Sequence, residues 1–142
     1  MSWWRRSRPV YAVEGVEPVR SDGWDVYAGE SLAGRPAVAA AVARLPAEPV
    51  LADLPGYLAV ATRDGREWAL SLEDGMLIVF DLSRPGTDTF EQVLAAAPWT
   101  TTVERVDREA FLLGTGESLP ADLILAGCVD ACGTAYRRLH LI

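Results

Sequence analysis

The sequence contains no lysine and no asparagine, a single histidine (His140) and two cysteines (Cys128 and Cys132). Without lysine there is no Walker-type phosphate loop, no Schiff base and no catalytic lysine. One histidine excludes a multi-histidine metal site built from a single chain, and the sequence points to no metal and no cofactor. No unbroken apolar run, Leu123 to Val129 included, approaches the roughly 18 residues that span a bilayer. The segment from Met1 to Pro9 carries positive charge with no apolar stretch behind it, so it is not read as a secretory signal. These absences set the expectation of a cytoplasmic protein in a reducing compartment, without a transmembrane segment.

What is present fits one globular domain. The chain has 142 residues, 50% of them apolar and 23% charged, enough for a single core without staples. The formal net charge is −7. All thirteen basic residues are arginine, and Arg5, Arg6 and Arg8 stand in a stretch without acid. A basic tip therefore precedes an acidic body. Such a body disfavours nucleic acid, whose binders neutralise phosphates with clustered Lys or Arg.

Periodicity divides the chain into an irregular arm, residues 1–30, and a single α+β domain, residues 31–142. Pro9, Gly15, Pro18, Gly23 and Gly29 punctuate the arm, with Trp24, Val26 and Tyr27 as candidate anchors on the body. From Arg35, the spacing of Val38, Ala41, Val42 and Leu45 predicts a helix that Pro36 opens and Pro46 stops. Tyr57–Thr62, Arg66–Leu72 and Met76–Leu82 predict a three-stranded antiparallel meander with turns at Asp64-Gly65 and Asp74-Gly75. In the second of these strands Trp68, Leu70 and Leu72 share one face, and Glu67 and Ser71 suggest that the other is wet. The third is apolar on both sides and is placed centrally.

A second helix follows, with Asp88 and Glu91 as a capping box and Phe90, Val93, Leu94 and Ala97 as its inward stripe. Thr100–Val106 and Ala110–Leu113 predict a β-hairpin. Ser118 is positioned to cap a C-terminal helix beginning at Leu119-Pro120. Gly127 and Gly133 each cost such a helix about 1 kcal/mol. One face carrying Leu123, Ile124, Gly127, Cys128, Ala131, Cys132, Ala135 and Leu139 nevertheless favours helix over strand, and its small residues permit close approach of a neighbour.

No residue set forms a catalytic motif. Cys128 and Cys132 lie one helical turn apart, a spacing poorly suited to a disulfide and unlike the Cys-x-x-Cys of redox sites, so they are read as buried small hydrophobes. Gly114-Thr115-Gly116 precedes a helix as phosphate loops do, but Glu117 and Asp122 place negative charge where phosphate would sit. Glu73, Asp74, Asp81 and Asp88 are explained by turns and helix starts. His140 lies near the chain end, a poor place to pre-organise a triad.

The order helix, three strands, helix, two strands, helix resembles that of class I type III secretion chaperones and the related YbjN-like bacterial domains. The resemblance covers about residues 35–139. It is carried by Gly56-Tyr57-Leu58-Ala59-Val60, the turns at Asp64-Gly65 and Asp74-Gly75, Thr100–Val106 with Ala110–Leu113, Ser118-Leu119-Pro120 and Tyr136-Arg137-Arg138-Leu139. It implies a small, acidic, dimeric, non-enzymatic protein that binds an extended segment of another protein. It transfers no functional residue.

The sequence expectation is thus a protein-binding module, a chaperone-like adaptor or an immunity-type inhibitor, whose acidic body meets a partner with a basic surface. Trp3, Trp4, Tyr57, Trp68 and Trp99 are the candidate contact residues. The alternative is a small enzyme or ligand-binding protein with a pocket between sheet and helices, in which Tyr57, Glu67, Asp81 and Cys128 would be the reactive groups.

Overall fold

The computed structural model describes residues 27–73, 76–82, 86–115 and 120–140. Trp3, Trp4, Trp24, Val26, the Asp74-Gly75 turn and the Ser118 cap lie outside the described residues. The described chain is α+β. Helix α1 (Pro36–Ala43) precedes strands β1 (Val50–Leu54), β2 (Tyr57–Ala61), β3 (Glu67–Glu73) and β4 (Met76–Asp81). Helix α2 (Thr87–Ala96), strands β5 (Thr100–Asp107) and β6 (Ala110–Thr115) and helix α3 (Ala121–His140) complete it. Among the described residues no helix is long and apolar enough to cross a membrane.

All six strands form one sheet in the order β1-β2-β3-β4-β6-β5, with every neighbouring pair antiparallel. This extends the predicted meander in two ways. A strand that the sequence reading lacked, β1, pairs with β2. The β5–β6 hairpin does not stand apart: Ile78, Val79 and Phe80 of β4 pair with Leu112, Phe111 and Ala110 of β6. The apolar strand β4 is central, as its two-sided pattern requires.

Local chemistry accounts for the boundaries. Pro36 opens α1, where a missing N–H costs nothing. Pro49 and Pro55 frame the five residues of β1. The loop joining it to β2 is Pro55-Gly56, and Gly56 adopts φ +66°, where a Cβ would stand 2.5 Å from the Ala28 carbonyl oxygen. The expected capping box at Asp88 does not form. Gly86 is the N-cap and makes no side-chain cap. Asp88 instead lies in the first turn, 3.1 Å from the Arg105 guanidinium.

The helices pack on one face of the sheet. Leu58, Val60, Trp68, Leu70, Leu77, Val79, Phe111 and Leu113 point to that side and share a core with Val38, Phe90, Leu94 and the inward face of α3. Phe90 lies between Trp68 and Phe111, with ring centroids 6.3 and 6.0 Å apart, separations at which tilted rings add about 0.5–1.5 kcal/mol to their burial. The small residues Ala131, Cys132, Gly133 and Ala135 are buried along α3. They let the helix lie close to α1 and the sheet.

The opposite face is not the wet surface that Glu67 and Ser71 suggested. Ser71 is buried, Ala69 is fully buried, and Met76, Ile78, Ala110 and Leu112 form a second buried cluster there. Glu67, at the start of β3, is exposed.

Candidate functional site

The two edges of the sheet differ in chemistry. Strand β5 carries register irregularities at Thr100/Thr102 and Arg105/Asp107, and its Arg105 is held by Asp88 and Glu91 of α2. Bulges and charges of this kind blunt an edge against further pairing. Strand β1 has no bulge, and its one charge is Asp53. All five of its residues are exposed, with Val50 at 66%, Leu51 at 38% and Leu54 at 60%. Its register with β2 is unbroken from Val50↔Ala61 to Leu54↔Tyr57.

Side-chain alternation sorts this edge into two faces. Val50, Ala52 and Leu54 share the outer face with Tyr57, Ala59 and Ala61 of β2, giving a continuous apolar strip. Leu51 and Asp53 share the helix face with their partners Val60 and Leu58. The Ser31 hydroxyl donates to the Asp53 carboxylate, tying it to the segment before α1. Glu48 precedes the strand and makes only a 3.6 Å contact with Arg63, both side chains being highly exposed.

Of the predicted contact residues, Tyr57 belongs to this strip. It is half-buried, and burial followed by the charge of Glu67 pushes its phenol above the ordinary tyrosine range. Trp68 does not belong to it: at 1% exposure its ring is part of the core beneath the helices. Trp99 is half-buried against the main core, far from β1 in sheet order. Trp3 and Trp4 lie outside the described residues.

The four groups of the enzyme reading do not converge. Tyr57 and Glu67 lie on the outer face, whereas Asp81, paired with Trp68 in register, points to the helix face. Asp81 and Cys128 are fully buried. Burial pushes the Cys128 thiol far above its usual range, and burial followed by the charges of Cys128 and Asp81 does the same to Cys132. Neither thiol is a nucleophile in that state.

A polar cluster that sequence reasoning missed joins the end of α3 to the β2–β3 turn. His140 Nε2 lies 2.6 Å from Asp64 Oδ2, and His140 Nδ1 lies 2.8 Å from the Tyr136 carbonyl oxygen. The Tyr136 hydroxyl donates to the same Asp64 oxygen at 3.3 Å, and the Thr62 hydroxyl donates to the other. The rings of Tyr136 and His140 stack 3.8 Å apart. Both imidazole nitrogens are engaged within the cluster, so neither is turned to a substrate. The cluster is a latch between elements. Its sequence signal was the i, i+4 spacing of Tyr136 and His140; Asp64 carried none.

The hollows beside these groups are shallow. One of about 280 Å³ is lined by Ala47, Glu48, Arg63, Asp64 and Tyr136 and is open to solvent. The space between Leu45, Val60, Trp68 and Cys132 amounts to about 10 Å³, room for one water at most. Among the described residues no three His, Cys, Asp or Glu side chains are placed to hold a metal ion.

No family model, curated protein or solved structure matches this chain.

Proposed function

We propose that the chain is a non-enzymatic protein-binding module, and that β1 with the adjoining face of β2 is its docking strip. The observation that carries this reading is the exposure of Val50, Leu51 and Leu54 on an unbulged edge strand. An edge left in this state is a template for pairing with another chain, which natural proteins otherwise cover or charge. The element order read from the sequence resembles that of secretion chaperones, which agrees with capture of a protein segment; β1 is additional to that order, and the resemblance adds no contact residue. The enzyme reading has no comparable support: its suspects stand on opposite faces of the sheet, and the hollows that described residues line beside them are shallow.

The test is a pull-down from native cells with the intact chain and with Val50→Asp/Leu54→Asp, followed by light scattering of each eluate. Both positions are exposed, where substitutions usually shift stability by about 0.5 kcal/mol, and circular dichroism of the variant checks that it remains folded. One protein retained by the parent chain and lost with the variant is the expected result. A lone monomer in both samples would sink the reading.

A further inference from the structure

We infer that the partner of β1 is an extended, cationic segment of another protein that adds to the sheet as a seventh strand through the backbone of Leu51 and Asp53. This rests on the protein-binding reading above and specifies what it binds.

The backbone argument starts from the turn. β1 and β2 are joined by the two residues Pro55-Gly56, with Leu54 and Tyr57 directly opposite. A two-residue loop makes that closing pair a hydrogen-bonded one, and such pairs alternate along an antiparallel ladder with pairs that point their N–H and C=O groups away. Ala52 and Val50 therefore face β2, as Leu54 does. Leu51 and Asp53 turn their N–H and C=O groups to the free edge. Among the described residues no strand lies on that side of β1. Pro49 and Pro55 lack an N–H, which confines added pairing to the five residues between them.

Side chains select the occupant. On the outer face an added strand would lie against Val50, Ala52 and Leu54, so its residues there must be apolar. On the helix face its residues would meet Leu51 and the carboxylate of Asp53, with Glu48 at the entry to the strand. A cation opposite Asp53, with Glu48 drawing a second at the strand entry, satisfies the charge on that side. A second copy of this chain is the poorer occupant, because it would set one formal charge of −7 against another across the same edge. Strand addition of this type draws affinity from main-chain hydrogen bonds and specificity from alternate side chains.

The experiment titrates the intact, isotope-labelled chain with two capped heptapeptides, one alternating arginine and valine and the other alternating glutamate and valine. Expected with the arginine peptide are amide shifts at Leu51 and Asp53 and slowed exchange at those two amides. Exchange at Ala52 and Leu54, already bonded to β2, stays unchanged. Leu51→Pro removes an outward N–H without touching the β1–β2 ladder, so it abolishes binding while leaving the spectrum of the remaining sheet intact. Asp53→Asn weakens binding and flattens its salt dependence.

Equal binding of the glutamate peptide would overturn the cationic assignment, and so would binding of neither peptide. Shifts confined to other elements would overturn the edge assignment and leave the protein-binding reading standing. Doubled mass with Leu51 and Asp53 already protected before any peptide is added would assign the edge to a second copy and overturn the inference.

Discussion

Gly127 of α3 lies under the indole of Trp99: a Cβ at this position would stand 2.4 Å from Trp99 Nε1 and 2.7 Å from Cε2. Helix propensity alone favours Gly127→Ala by about 1 kcal/mol, whereas forcing a methyl into a packed contact costs about 1–3 kcal/mol. The clash dominates, so Gly127→Ala is expected to destabilise the fold by about 1–2 kcal/mol in urea denaturation. Gly133→Ala is the control. Its nearest neighbours are Leu45 Cδ2 at 3.3 Å and Pro46 Cδ at 3.5 Å, so it is expected to be neutral or to stabilise by up to about 1 kcal/mol.

Trp68 stabilises the core instead of presenting a contact. Trp68→Ala is expected to cost about 3–5 kcal/mol by chemical denaturation. Trp68→Phe costs less, because the indole N–H it removes has no hydrogen-bond partner. A partner bound equally well by folded Trp68→Phe and the parent chain would agree with this placement; loss of binding without loss of stability would contradict it.

Cys128 and Cys132 are buried, unpaired thiols, and the Cys132 thiol donates to the Cys128 carbonyl oxygen at 3.3 Å. A disulfide reagent is expected to modify neither in the native protein at neutral pH and both in denaturant. Rapid modification of the native chain would show an opening of α3 that this packing does not provide.

The Asp64 carboxyl is held below the ordinary carboxylate range, first by the Thr62 hydroxyl and then by His140. A group whose folded pKa is depressed stabilises the fold above its unfolded pKa, near 4 for an aspartate, and that contribution disappears as pH falls through the folded value. Asp64→Asn is therefore expected to be less stable than the parent at pH 6. The gap should close as pH falls through that depressed folded value. A gap that persists unchanged at low pH would show that Asp64 acts through shape alone.

Fold class was legible wherever short-range pattern decides it. The 3.6-residue stripe of Phe90, Val93 and Leu94 places α2. The Asp64-Gly65 turn, with Gly65 at φ +92°, sets the β2–β3 hairpin. The small-residue face of α3 reads as helix despite two glycines. Strand β1 escaped because five residues between prolines carry too little periodicity to distinguish a strand from a loop; its pairing with β2 makes it one.

The sequence by itself determined the helices, the Asp64-Gly65 turn, the two-faced apolar character of β4 and the exclusion of lysine and multi-histidine chemistry, because each depends on neighbours a few residues apart. Tertiary structure alone decided that the hairpin joins β4, that Trp68 is core, that β1 is left bare at the edge, and that Asp64 meets His140 across 76 residues. These depend on which surfaces remain after the chain has closed on itself, and no local spacing encodes that.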